Sequence, residues 1–142
     1  MFARPWFARL ARVLVGIWIG AMIAQAFVGA PLVFGSVPEH IADKEAAANV
    51  IGPGFARIDM LGIVALAALL ASLAHQGAVR SWRGGLTLVL LAGAATDAFW
   101  LAPAITARTE PLGVYHGTAT TIWMMGMIGG LLLLLAPPPK AA

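Results

Sequence analysis

Four long stretches of this chain carry almost no charge, and this feature constrains the fold more than any other. Residues 13–38, 60–79, 84–107 and 111–139 contain a single Asp, Glu, Lys or Arg between them, which is Asp97. A helix of about 20 apolar residues is long enough to cross the hydrocarbon core of a bilayer. The sequence therefore predicts an all-α integral membrane protein with four spans at approximately 13–34, 60–79, 84–103 and 112–136.

The composition supports this class and excludes several others. Hydrophobic residues make up 61% of the chain and charged residues 11%, whereas soluble domains average about 45–50% and about 25%. A disordered chain needs low hydrophobicity and high net charge, so disorder is excluded as well. The chain has no cysteine, which excludes disulfide frameworks, cysteine-ligated zinc and iron–sulfur clusters. The net charge of +3 arises at the ends of the apolar runs, so we expect no nucleic-acid partner.

The distribution of basic residues predicts the orientation. Basic side chains are enriched in the cytoplasmic loops of membrane proteins. The predicted spans place six on one side and three on the other, which favours cytoplasmic N and C termini, most simply in a bacterial cytoplasmic (inner) membrane. Short connections make neighbouring helices antiparallel, so we expect one domain, residues 1–142, folded as an up-down four-helix bundle. The first group is Arg4, Arg9, Arg12, Arg80, Arg83 and Lys140, and the second is Lys44, Arg57 and Arg108.

The first external loop, residues 35–58, is the long one. Ser36, followed by Pro38 and Glu39, is typical of a helix start, because serine caps helices and proline suits the first turn. The run Gly52-Pro53-Gly54 is expected to end that helix before the second span. The loop therefore predicts a short interfacial helix, with a functional lid over the bundle as the alternative.

Asp97 is the residue most expected to carry chemistry. It lies near the middle of the third predicted span, where an ionisable side chain is costly and normally faces the bundle interior or water. One interpretation is a proton or cation site between the helices, and the other is a structural bond that ties the spans together. The candidate partners at this depth form a tentative polar cluster with Asp97: Gln25, Arg57, Arg108, His116 and Thr120.

Histidines and methionines raise two further ideas about ligands. His116 opens the fourth span, where an imidazole can carry a proton or bind metal, or can instead bond to a loop carbonyl. Met124, Met125 and Met127 suggest a soft metal, but adjacent helical side chains point about 100° apart and methionine is a common core residue. We therefore predict no metal site and no cofactor. No catalytic motif is recognised, so we expect a protein that is not an enzyme.

Small residues at helical spacing predict close helix packing. Gly16 and Gly20 lie four residues apart in the first span, and Gly126 and Gly130 do so in the fourth. Such spacing lets helix backbones approach closely in lipid. The spacing does not decide between packing within the bundle and packing between subunits. We recognise no internal repeat in the sequence.

Four short segments resemble one known family. They are residues 20–34, which end in Ala-Pro-Leu-Val-Phe; residues 47–55; residues 97–103, followed by Arg108; and residues 115–119, Tyr-His-Gly-Thr-Ala. Together they are similar to the DUF4149 / TMEM205-like membrane proteins. The linker between the third-span proline and the histidine, residues 104–115, is shorter than is usual in that family. The resemblance implies a small four-span membrane protein without an agreed activity.

The sequence is consistent with two functions. The leading hypothesis is a non-enzymatic bundle that binds or passes a small solute, ion or metal through its outer-leaflet polar cluster. The alternative is a structural or accessory subunit of a larger membrane complex. The expected partners are the lipid bilayer and either other membrane subunits or further copies of the chain.

Overall fold

A computed structural model describes residues 5–35 and 41–137, and within them all the regular structure is helical. Two of the four long helices are interrupted by five-residue π-helical segments, Gln25–Gly29 and Asp97–Leu101. The α-helices are α1 (Pro5–Ala24), α2 (Ala30–Gly35), α3 (Ile41–His75), α4 (Trp82–Thr96), α5 (Ala102–Thr106) and α6 (Leu112–Leu135).

Four helices are long and apolar enough to cross a membrane, as predicted. The candidate spans are Trp6–Gly35, Ala46–His75, Trp82–Thr106 and Leu112–Leu135. Each presents large apolar side chains outward as well as inward; Ile17, for example, is exposed while Trp18 is buried. A helix that is apolar all round is suited to lipid, because hydrocarbon surrounds the bundle. The predicted orientation, with both termini in the cytoplasm, stays a prediction.

The four long helices form a square arrangement. α1 packs against α3 and α6, and α4 packs against the same two helices. Among the described residues, the backbones of the diagonal pairs, α1 with α4 and α3 with α6, do not come into contact. The centre is filled by side chains from all four helices, including Trp18, Leu66, Leu90 and Trp123. Side chains from diagonal helices therefore meet in the middle of the bundle.

The second span differs from the prediction. It was expected at 60–79, but α3 is one continuous helix from Ile41 to His75 and passes through Pro53. The run Gly52-Pro53-Gly54 therefore does not end a separate interfacial helix. A backbone that leaves the helix within lipid has no water to satisfy its polar groups, so membrane helices tolerate glycine and proline. The expected helix start at Ser36–Glu39 lies outside the described residues.

An internal repeat, which the sequence analysis missed, links the first and third spans. Residues 25–31 read Gln-Ala-Phe-Val-Gly-Ala-Pro and residues 97–103 read Asp-Ala-Phe-Trp-Leu-Ala-Pro. The two π-helical segments occupy the same five positions of the repeat. The first and third spans therefore carry the same motif, with the same helical irregularity, toward their C-terminal ends.

Two arginines hold the last turn of α6. Arg12 Nη2 donates to the carbonyl oxygen of Ala136 at 2.7 Å, and Arg83 Nη2 donates to that of Leu133 at 3.2 Å. Arg83 Nη1 also donates to the carbonyl oxygen of Pro137. These carbonyls have no partner within the helix, and their partial negative charge favours a cation there. The arginines thereby join the ends of α1, α4 and α6.

Candidate functional site

Asp97 lies inside the bundle, as predicted, and opens the π-helical segment of the third span. Its side chain is 4% exposed. Its Oδ2 accepts a hydrogen bond of 2.9 Å from the indole Nε1 of Trp123, on α6. A π-helical turn inserts one extra residue into a helix and is often found at functional sites. The turn here begins at the one acidic residue of the third span.

Asp59 is the second carboxyl group of the site, and it falls just before the second span as predicted at 60–79. Because α3 extends further than predicted, Asp59 lies near the middle of the span Ala46–His75 and is 3% exposed. Its carboxyl group is a close neighbour of Asp97 and of the Trp123 indole. The signal that was overlooked is the apolar run on both sides of Asp59, broken on its N-terminal side by Arg57.

Two carboxyl groups in contact away from water do not both carry a charge at acceptable cost. Like charges at this distance disfavour each other, and neighbouring carboxyl groups titrate as one coupled unit that shares a proton. An isolated charge in the membrane interior carries a further cost of several kcal/mol. The arrangement of Asp59 and Asp97 therefore suits either a held proton or a bound cation that compensates the negative charge.

A small cavity of about 40 Å³ adjoins the carboxyl pair. Around the carboxyl pair, three buried polar atoms have no hydrogen-bond partner among the described residues: Trp18 Nε1, Asp59 Oδ2 and Asp97 Oδ1. Trp18, Asp59 and Trp123 line the cavity, together with apolar residues of α4 and α6. A cavity of this size has room for one or two groups as large as a water molecule, whose share of liquid volume is about 30 Å³. The site thus places a small cavity against Asp59, whose Oδ2 lacks a partner.

Glycine at position 62 allows Trp18 to reach the centre. The Trp18 indole lies directly against the Gly62 backbone, and a Cβ built at that position would overlap the indole Nε1. On the other side of the pair, the ring of Phe55 packs edge-on against Trp123 with centroids 4.7 Å apart. Two indoles held by close packing therefore frame the carboxyl groups.

The other members of the predicted polar cluster lie elsewhere, and their part in a site stays a prediction. Gln25 packs between Gly29 and Gly54, at the position in the first span that Asp97 occupies in the third. Arg57, Arg108, His116 and Thr120 are exposed, and the Thr120 hydroxyl donates to the His116 carbonyl in its own helix. The polar neighbours that the structure gives Asp97 are instead Asp59 and Trp123.

The predicted packing glycines divide into two groups. Gly126 and Gly130 are buried, and an added Cβ would lie 3.0 Å from Met22 Cε and 2.7 Å from Ile19 Cδ1, respectively. The glycine pair of α6 thus packs against α1 within the bundle. Gly16 has Leu134 as its nearest neighbour at 4.0 Å, whereas Gly20 faces outward with nothing within 4 Å.

The chemistry available at this site is that of two carboxyl groups and two indoles. Within residues 5–35 and 41–137, no group of three or more His, Asp or Glu side chains is placed to hold a metal ion. Carboxylates are hard oxygen ligands, and indole N–H groups are donors only. The donor set therefore fits a proton, a small monovalent cation or a protonated amine.

Comparison with known proteins identifies a family for most of the chain. The model of the domain of unknown function DUF4149 matches residues 13–111, which include Gln25, Asp59 and Asp97. The fourth span and Trp123 lie beyond the matched region. No curated protein and no solved structure matches the chain.

Proposed function

This chain belongs to the DUF4149 family of unknown function, and from that premise we propose that it is a non-enzymatic membrane protein that binds a proton or a small cation inside its four-helix bundle. The binding group is the carboxyl pair of Asp59 and Asp97. The polar cluster is thus centred on these two residues and not on the exposed side chains of His116 or Arg108. Its membrane is taken to be a bacterial inner membrane, in accordance with the positive-inside distribution of basic residues.

The observation that carries the proposal is that Asp59 Oδ2 and Asp97 Oδ1 are buried without partners among the described residues and that Asp59 lines a cavity. Buried polar atoms are normally satisfied, and leaving one unsatisfied costs about 1–3 kcal/mol. A bundle that needed only a structural tie could use two residues that satisfy each other. Carboxyl oxygens that lack partners beside a cavity are instead suited to a polar occupant that completes their bonding.

The location of the pair also supports binding. Asp59 comes from α3, Asp97 from the π-helical segment of the third span and Trp123 from α6. In membrane carriers, binding sites lie near the midplane, where helices are irregular. The carboxyl pair has this position, beside the π-helical segment of the third span.

The accessory-subunit function keeps one specific observation in its favour. Gly20 lies on the outward face of α1, and nothing lies within 4 Å of a Cβ added there. Ala24, one turn later, is also exposed. Small residues on an outward face allow another membrane helix to approach closely. In this alternative Asp59 and Asp97 are structural, and the same experiment separates the two functions.

The test uses the purified chain in lipid nanodiscs. Thermal unfolding is measured with sodium, potassium or methylammonium chloride at constant ionic strength, and protonated carboxyl groups are followed by their infrared band. Asp59→Asn and Asp97→Asn are compared with Glu110→Gln, which removes an exposed carboxyl group near the start of α6. A ligand present at 100 times its Kd raises stability by about 2.7 kcal/mol.

We expect the native chain and Glu110→Gln to share either a stabilising cation or a pH-dependent carboxyl band, and both Asn variants to lose it. If neither cation binding nor a titrating carboxyl band depends on Asp59 or Asp97, the proposal is wrong. If both Asn variants lose stability but show neither a cation effect nor a titrating carboxyl band, the result would favour the accessory-subunit function.

A further inference from the structure

The cavity beside the carboxyl pair opens toward the lipid, between α4 and α6. Its lining includes Val89 and Met125, which are 55% and 50% exposed on the outer surface of the bundle. Val89 is seven residues from the start of its span, about 10 Å along the axis, and Met125 lies near the middle of its own. The rim of the cavity is therefore at the depth of the hydrocarbon core and not at an aqueous end.

A glycine makes this opening. Gly93 lines the cavity between α4 and α6, and a Cβ added there would lie 3.4 Å from Ile122 Cγ2 on the facing helix. That distance is an ordinary van der Waals contact, so a methyl group fits and would narrow the gap. Any larger residue at position 93 would close more of the route from the lipid to Asp59.

From this opening we propose that the carboxyl pair binds a primary amine that reaches it from the membrane phase. The inference rests on the proposed function and names its ligand class. The amino group occupies the cavity, and the apolar body of the amine extends between Val89 and Met125 into the lipid. An amino group is about as large as a water molecule, which matches a cavity of about 40 Å³.

The binding step is a proton transfer that conserves charge. The amine crosses the hydrocarbon in its neutral form, because a charged group there is costly. In the cavity, the O–H bond of the proton shared by Asp59 and Asp97 breaks, and an N–H bond forms on the amine nitrogen. The product is an ammonium–carboxylate pair with the same total charge. Its N–H groups bond to the carboxyl pair through Asp59, which lines the cavity and whose Oδ2 lacks a partner.

Few other charged groups act on this step. The group that acts electrostatically on Asp59 is Asp97. The lining contributed by α1 is Trp18 and Met22, and that of α6 consists of Ile122, Trp123, Met125 and Gly126. None of these side chains titrates in the physiological range. The proton that the amine takes is therefore the one held by the carboxyl pair.

The test adds octylamine to the chain in nanodiscs and records the infrared band of protonated carboxyl groups. Two probes serve as controls: 1-octanol has no basic nitrogen, and octyltrimethylammonium has a head group too large for the cavity. Gly93→Ala narrows the opening, and its matched control is Gly85→Ala, on the same helix with nothing within 4 Å of the added Cβ.

We expect octylamine, and neither control compound, to reduce the band in the native chain and in Gly85→Ala. The reduction should vanish in Asp59→Asn and Asp97→Asn, and the apparent affinity should fall at least tenfold in Gly93→Ala. An octylamine response that is absent, or is unchanged by Gly93→Ala, overturns the inference. If protons or inorganic cations still bind in an aspartate-dependent manner, the proposed function survives that result; if they do not, both fail.

Discussion

The indole Nε1 of Trp123 donates a 2.9 Å hydrogen bond to Oδ2 of Asp97, and this bond joins the fourth helix to the π-helical segment of the third. The same indole packs against Phe55 of α3 at a centroid distance of 4.7 Å. Trp123 therefore connects three helices at the depth of the carboxyl pair. It fixes the position of one Asp97 carboxyl oxygen and leaves the other, Oδ1, without a partner among the described residues.

Replacing Trp123 with phenylalanine should destabilise the bundle. Trp123→Phe retains an aromatic ring against Phe55 but leaves the Asp97 Oδ2 without its donor. An unsatisfied buried acceptor costs about 1–3 kcal/mol. Reversible unfolding in mixed micelles measures the change, with Trp100→Phe as the control because Trp100 is exposed. Equal stability of the two variants would contradict the role assigned to this hydrogen bond.

Replacing Asp59 with asparagine should make the bundle more stable. Asp59→Asn removes one of two adjacent carboxyl groups and provides an N–H donor toward Asp97, a neighbour of Asp59 in the structure. Hydrogen bonds to charged groups contribute about 1.5–3 kcal/mol, so we expect a gain of about 1 kcal/mol or more. The same unfolding measurement tests it beside Glu110→Gln, which should change little. A clear loss of stability would instead indicate that the Asp59 carboxyl group is a structural tie.

Gly62 is required for the position of Trp18. In Gly62→Ala the new methyl group would overlap the buried indole, which is too rigid to move without repacking. Overpacking of this kind costs about 1–3 kcal/mol. Gly52→Ala is the matched control in the same helix, since nothing lies within 4 Å of its added Cβ. Thermal unfolding should distinguish the two variants, and a neutral Gly62→Ala would contradict the close contact.

Arg83 should contribute to stability far from the carboxyl pair. Arg83→Gln removes the guanidinium that binds the carbonyls of Leu133 and Pro137. The loss of hydrogen bonds from a charged donor predicts a decrease of about 1.5–3 kcal/mol. Arg80→Gln, at an exposed position three residues earlier, should change stability by less than about 0.5 kcal/mol. Similar unfolding curves for the two variants would count against the anchoring of α6.

The orientation can be tested with single cysteines, since the native chain has none. Gln76 and Thr109 are exposed in connections at opposite ends of the bundle. With both termini in the cytoplasm, a membrane-impermeant maleimide should label Thr109→Cys in intact cells and should label Gln76→Cys after lysis only. The reverse pattern would show that the positive-inside distribution has been misread.

The number of spans and the class of fold follow from the sequence because they depend on local quantities. Uncharged runs of about 20 residues predict membrane helices wherever they occur. The repeated motif at 25–31 and 97–103 was also present in the sequence. It was overlooked because only four of its seven positions are identical, all of common residue types, and the match becomes clear only when the two π-helical segments are compared.

By itself, then, the sequence determined four apolar helices and the burial of Asp97, since both follow from the cost of placing charge or free backbone groups in lipid. The tertiary structure decided where the second helix begins, and with it the depth of Asp59. No local signal distinguishes a carboxyl group in a loop from one inside a longer helix when proline and glycine precede it. The partnership of Asp59, Asp97 and Trp123 arises between residues up to 64 positions apart in the chain, because only the packing of three helices brings them to one point.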